Sequence, residues 1–151
     1  HKLSGMYRYM LKNEIDTLIP LRDELAFVGM YTDLLKVRFS CGFEVRTDVP
    51  EEFMSFQVVP CSIQMLVENA LKHNRVSPGN PLYIDMVAKD NRFIVTNTIS
   101  PRMASSEEST KVGLNYIRQQ YIDLSGNDIE VIDDGKTYSV SLPLLPVQKT
   151  T

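Results

Sequence analysis

Residues 60–74 read Pro-Cys-Ser-Ile-Gln-Met-Leu-Val-Glu-Asn-Ala-Leu-Lys-His-Asn. At about 100° per residue this stretch is a helix with two opposed faces. Ile63, Leu66, Val67, Ala70 and Leu71 share one apolar arc, and Gln64, Glu68, Asn69, Lys72 and His73 fall on the other side. Pro60 suits a first helical position. A helix built this way must lay its apolar arc on a neighbouring layer. Its other side gathers a carboxylate, a carboxamide, an ammonium and an imidazole. A carboxamide oxygen is a hard ligand suited to Mg²⁺. Lysine and histidine meet phosphate oxygens, and a carboxylate can orient or deprotonate a nucleophile. A plainer account exists for the same residues. Glu68 and Lys72 form an i,i+4 pair worth about 0.2–0.5 kcal/mol on an exposed helix. His73 suits the negative end of the helix dipole. Residue types alone leave both accounts open.

The segments around this helix set the fold class. Lys2 to about Thr17 is helical in pattern, with a stripe of Leu3, Tyr7, Met10 and Leu11. Pro20 breaks the chain, and a long helix follows from Leu21 to about Phe39, with Leu25, Val28, Leu35 and Phe39 in period. Asp23 and Glu24 in its first turn suit the helix dipole, and Gly42 ends it. Phe43, Val45 and Thr47 alternate as a short strand, and Pro50 to Phe56 is a connection. Beyond a loop at Ser77–Pro81, residues 82–87 and 92–97 flank the turn Lys89-Asp90-Asn91 as a hairpin. Ser100 to Thr110 is polar, lacks periodicity and reads as a mobile loop. Val112 to Ile122 is again helical, closed by Ser125-Gly126-Asn127. Ile129 and Val131, then Tyr138, Val140 and Leu142, flank Asp133-Asp134-Gly135-Lys136, where Asp-Gly marks a second hairpin. This order predicts an α+β fold, a two-layer sandwich with helices on one face of a mostly antiparallel sheet.

Composition narrows the function classes. A chain of 151 residues with net charge −3 has the size of one domain and no basic field for nucleic acid. Cys41 and Cys61 lie in segments that favour two reduced thiols, and no Cys/His spacing matches a zinc site. No run approaches the roughly 20 apolar residues of a membrane span. The abrupt start at His1 inside a helical pattern is the mark expected of a piece of a longer protein.

The run Val67-Glu68-Asn69-Ala70-Leu71-Lys72-His73, with Pro60 and Gln64 ahead of it, resembles the N-box of the sensor histidine kinases related to LytS and YehU. These belong to the ATPases that share the Bergerat nucleotide-binding fold (the GHKL superfamily). Leu3-Ser4 with Tyr7-Arg8-Tyr9-Met10-Leu11 resembles the end of that family's dimerisation and phosphoacceptor region. Leu21-Arg22-Asp23-Glu24-Leu25, with Tyr31 and Lys36-Val37-Arg38-Phe39, resembles its linking helix. Val112-Gly113-Leu114-Asn115-Tyr116-Ile117 resembles its second glycine box. The resemblance implies the end of the dimerisation region over residues 1–19, an ATP-binding catalytic domain over 20–147 and a tail over 148–151.

The resemblance also implies a site. ATP and Mg²⁺ are the expected cofactors. Asn69 matches the Mg²⁺ ligand, and Glu68, Lys72 and His73 match residues that assist around the phosphates and the attacking group. Asn97 lies where an adenine-binding aspartate stands in the family, and its carboxamide oxygen can accept the same N–H; as a plain strand-end residue it would serve a turn. Gly113, Leu114 and Asn115 belong to the second glycine box. Two departures stand out: Ile99-Ser100-Pro101-Arg102 replaces the glycines of the first box, and Lys111 replaces the first glycine of the second. Lys111 is expected either to contact phosphate or to fill the pocket. The family's acceptor histidine lies in an Asn-Pro-His-Phe type motif that is absent from this sequence.

The implied function is the catalytic domain of a two-component sensor histidine kinase. It would pass the γ-phosphoryl group of ATP to a histidine outside this segment, act as a homodimer in the full-length protein and hand the phosphate to a response regulator. The implied location is the cytoplasmic side of an inner-membrane protein, anchored through an upstream region. The alternative is an interaction module of the same fold that binds nucleotide poorly or not at all. A stand-alone ATPase or chaperone leaves the helices at residues 3–39 without a role.

Overall fold

The computed structural model describes residues 17–39, 42–100 and 107–147, with the side chains of residues 107–111 outside that description. The helical stub read near the start of the chain, Cys41, residues 101–106 of the polar loop and the tail at 148–151 lie outside the described residues.

Strand β1 (Ile19–Pro20) leads into helix α1 (Leu21–Arg38), and β1 pairs antiparallel with β3 (Gln57–Val58). Neither short strand carries enough residues for a period-2 signal, and sequence reading passed over both. Strand β2 (Phe43–Asp48), helix α2 (Ser62–His73), strands β4 (Leu82–Lys89) and β5 (Arg92–Thr98), helix α3 (Glu107–Ser125), and strands β6 (Glu130–Asp133) and β7 (Thr137–Pro143) complete the order. The main sheet runs β2-β4-β5-β7-β6. Only the β2–β4 pair is parallel, and the other three pairs are antiparallel. A parallel neighbour needs a long crossover. Here that crossover carries β3 and α2, and so brings α2 over the sheet.

Both hairpins close where the sequence placed them. Asp90 and Asn91 both take positive φ, 53° and 60°, which suits a two-residue turn whose twist matches the strands. Gly135 at φ 86° turns the second, with its N–H donating to Asp133 Oδ1 at 2.9 Å.

Register lines up one buried face of the sheet. Ala88, Phe93 and Leu142 are cross-strand neighbours, as are Met86, Val95 and Val140. Against it lies the predicted arc of α2, and Ile63, Leu66, Val67, Ala70 and Leu71 are all buried. Leu21 and Val28 of α1 and Ile117 and Tyr121 of α3 complete the core. The two-layer α+β reading therefore holds, with the single parallel pair making the sheet mixed.

Two boundaries and one helix face differ from the sequence reading. Helix α2 starts at Ser62, not near Pro60, because Cys61 takes a left-handed φ of 65° that no helix accepts. Helix α3 starts at Glu107, not Val112, so residues 107–110 of the predicted polar loop are helical. Their polarity hides any period. Gly113 consequently sits inside α3 and not at its start. Finally, the buried line of α1 is Leu21, Glu24, Val28 and Thr32, so Glu24 faces the core instead of the solvent around the first turn.

Candidate nucleotide site

Helix α2 carries four residues of the predicted site. Glu68, Asn69 and His73 are half-buried, and Lys72 is exposed. Gln64, read as a member of the same polar side, is instead fully buried. Its position is explained by α1: Tyr31 forms a hydrogen bond with the Gln64 side chain, and Gln64 Nε2 lies 3.5 Å from Glu68 Oε2. Burial pushes the Tyr31 hydroxyl up to about 12, the charge of Glu68 adds to the rise, and the Gln64 bond opposes it.

Asn69 meets the second glycine motif. A Cβ placed on Gly113 would stand 3.6 Å from Asn69 Nδ2 and 4.0 Å from Asn69 Oδ1. Two motifs 44 residues apart in sequence thus face each other across α2 and α3, with the bare edge of a glycine toward the carboxamide. Leu114 packs against the core. Asn115 is exposed and, two residues on from Gly113, points about 200° around the helix. The structure does not bring Asn115 to the Asn69 side. Lys111 belongs to the backbone of α3, and its side chain is among those outside the described residues.

Asn97 sits near the end of β5 on the buried face, 6% exposed. Its Nδ2 donates to the Thr98 carbonyl at 2.9 Å. With the amide nitrogen engaged, Oδ1 is the atom left to accept a ligand N–H. Its cross-strand neighbours are Ile84 and Tyr138, so an apolar and an aromatic residue flank it.

The start of α2 holds a residue that the sequence reading missed in this role. Glu24 is fully buried. Its Oε1 accepts the N–H of Cys61 at 2.9 Å, and its Oε2 accepts those of Ile63 at 3.1 Å and Gln64 at 3.4 Å. These are orphan donors of a helix start, normally satisfied by a capping side chain; the N-cap residue Cys61 supplies no such bond. Burial pushes the Glu24 carboxyl up to about 7, against the three N–H donors that hold it down. The signal for it was an acid on the same spacing as Leu21 and Val28. Helix α3 reaches the same place: Tyr121 OH lies 2.8 Å from Ser62 Oγ and accepts the Val59 N–H at 3.3 Å. Burial raises the Tyr121 hydroxyl well above its ordinary range, and burial followed by the charge of Glu24 pushes the Cys61 thiol up to about 12.

The far end of α2 is tied to the sheet. Asn74 Nδ2 donates to the Ala70 carbonyl at 2.9 Å, and Asn74 Oδ1 accepts the Ser100 N–H at 2.8 Å. Arg75 N–H adds a bond to the Ser100 carbonyl at 2.8 Å. The chain leaving β5 beyond Asn97 is thereby fastened to the end of α2.

Among the described residues no group of three His, Cys, Asp or Glu side chains could hold a metal. The donor set fits Mg²⁺ in a different way. That ion keeps waters and takes one or two protein oxygens together with substrate phosphates. A single carboxamide beside a glycine matches that habit.

Comparison with known proteins agrees with the fold. A family model described as "Histidine kinase" matches residues 1–43. The chain is 28% identical over 160 residues to the Sensor protein LytS of Enterococcus faecalis, an alignment covering 91% of this chain and 26% of that protein. The chain thus spans about a quarter of that relative's length. The cytoplasmic segment of histidine kinase QseC superposes with a TM-score of 0.60 at 18% identity, covering 95% of this chain and 88% of that one. The catalytic domain of histidine kinase ThkA superposes with a TM-score of 0.55 at 21% identity, covering 87% and 98%. Among the described residues no helix is long and apolar enough to cross a membrane.

Proposed function

This chain is a relative of the LytS-type sensor proteins and carries the fold of a histidine kinase catalytic domain, and from that premise we propose that it binds ATP with Mg²⁺ and donates the γ-phosphoryl group to a histidine outside this segment. The observation that carries the proposal is the approach of Gly113 to the Asn69 carboxamide. It brings the two motifs expected to handle phosphates to one place, although they lie on different helices.

Each residue has a role in this reading. Asn69 Oδ1 would hold Mg²⁺, which would supply charge neutralisation to the phosphates. Gly113 leaves room for them beside Asn69. Asn97 Oδ1 accepts the adenine amino group, and Lys72 and His73 meet phosphate oxygens. Glu68 orients the incoming imidazole and takes its proton as the nitrogen–phosphorus bond forms and the bond to ADP breaks. Leu114 contributes an apolar wall, and Lys111 adds charge to the phosphate side, while Asn115, exposed and turned away from Asn69, has no part in it. In the full-length protein the domain works within a homodimer, on the cytoplasmic side of the membrane, and a response regulator receives the phosphate.

One observation favours the second reading, an interaction module of the same fold. The first-box glycines are replaced by Ile99-Ser100-Pro101-Arg102, and Lys111 stands for the first glycine of the second box. Calorimetric titration with ATP, with and without Mg²⁺, separates the two. The kinase reading expects Mg²⁺-dependent binding that Asn69→Ala abolishes. Absence of binding in the parent chain leaves the fold and removes the enzyme.

A further inference from the structure

We propose that Glu24 is a positioning residue for Asn69: from α1 its carboxylate fixes the first turn of α2, and with it the rotation of the helix that presents the Mg²⁺-ligand candidate. The inference rests on the nucleotide-binding reading of Asn69.

Three observations converge. First, α2 does not cap itself. Its N-cap residue, Cys61, takes φ 65° and gives no side-chain hydrogen bond, so the helix start relies on a carboxylate from another helix. A residue without glycine's freedom in that left-handed well stays there when its surroundings hold it. The N–H of Cys61 itself is one of the three donors bound by Glu24. Second, α1 touches α2 again at the level of the site. Tyr31, about two turns on from Glu24, bonds the Gln64 side chain and lies beside the charge of Glu68. Gln64 Nε2 in turn stands 3.5 Å from Glu68 Oε2, next in sequence to Asn69. Third, α3 brings Gly113 to Asn69, close enough that a Cβ on the glycine would stand 3.6 Å from Asn69 Nδ2.

The mechanics follow from the stiffness of a helix. Helix α2 has 12 residues, and Asn69 lies about 9 Å along the axis from Ile63. Two contacts from one neighbour, at the start and at the level of Gln64, fix both rotation and axial position. A rotation of the first turn reaches Asn69 nearly undiminished. Any displacement of α1 against α2 is therefore read out at the carboxamide, while Asn97, on the sheet, stays in place.

The test compares the 151-residue chain with Glu24→Gln and Glu24→Asp by heteronuclear NMR and by calorimetry with Mg-ATP and with adenosine. Glu24→Gln is expected to move the backbone amides of Cys61, Ile63 and Gln64 together with the side-chain amide of Asn69. It is expected to weaken Mg-ATP binding about tenfold and to leave adenosine binding, which relies on Asn97, unchanged; Glu24→Asp falls between. An unshifted Asn69 side-chain resonance overturns the proposal, as does an equal loss of both ligands. A parent chain that binds no Mg-ATP removes the nucleotide reading of Asn69, and the Asn69 resonance still decides the role of Glu24 without ligand. Should Glu24→Gln fail to fold, Tyr31→Phe removes the second contact alone and is read by the same Asn69 shift, whose absence overturns the inference.

Discussion

The two ends of α2 are held by different parts of the molecule. At the start, side chains from the other two helices converge, Glu24 from α1 and Tyr121 from α3. At the far end, Asn74 and Arg75 bind the chain that leaves the sheet at Ser100. The start is dry and depends on groups buried well away from water. The end is a clasp of backbone and carboxamide around one residue of the polar loop. The site lies between them. The side of it that faces Gly113 is set from the helix layer, and its distance from the strand bearing Asn97 is set from the sheet.

The largest expected effect that tests this contrast is Glu24→Ala. Removing an acceptor that serves three buried donors should cost about 3 kcal/mol or more, because each orphan donor carries a desolvation penalty of about 1–3 kcal/mol. Urea denaturation measures it, and a loss below about 1 kcal/mol would mean that water or another group already serves the start of α2. A pH series sharpens the same point. The folded carboxyl titrates near 7 and the unfolded one near 4.5. The unfolded chain therefore loses this proton first as pH rises, and stability from this group is full below 4.5 and falls until about 7. The groups facing it, Cys61 and Tyr121, both have raised values and stay neutral across that window. The melting temperature of the parent minus that of Glu24→Gln should drop as pH goes from acid to neutral, and a flat difference would show that Glu24 is not protonated in that range.

Tyr121→Phe comes next. It removes the hydroxyl shared by Ser62 and the Val59 N–H at the same helix start, at an expected cost of about 1–2 kcal/mol in thermal or chemical unfolding. At the other end Asn74→Ala should cost about 1 kcal/mol, with faster hydrogen exchange at the Ser100 amide and little change at Cys61. Exchange rising at both ends would show that the two attachments act as one. The smallest effect has the opposite sign. Gly113→Ala places a Cβ at ordinary contact distance from Asn69 and should stabilise α3 by about 0.5–1 kcal/mol. Weaker Mg-ATP binding in that more stable variant would locate the phosphates against Gly113; unchanged binding would place them elsewhere.

The contrast also separates what the sequence made legible from what it hid. The apolar arc of α2, the hairpin at Asp134-Gly135 and the alternating strands β4 and β5 all follow from local periodicity and turn chemistry, and each is found as read. Glu24 was visible as a residue but not as a cap. Periodicity places it in line with Leu21 and Val28, yet no local rule says that a helix start beginning at Cys61 will arrive opposite it. Gln64 was misread for the same reason, since the groups that receive a buried carboxamide come from α1. The early start of α3 was hidden because helix-forming polar residues carry no stripe. Within the candidate site, the helical spacing that sets Glu68 and Asn69 side by side on α2 was legible, while the approach of Gly113 to Asn69 depends on how two helices cross.

The margins of the main sheet have a consequence of their own. At one border stands β6, four exposed residues flanked by Glu130 and Asp133; at the other, β2 carries Glu44, Arg46 and Asp48 along its length. Brevity and charge at a border discourage a stray chain from adding itself to the ladder. The sheet thus ends as a closed tile, and encounters between copies of this protein at high local concentration are steered away from strand-to-strand growth and the insoluble aggregates it begins.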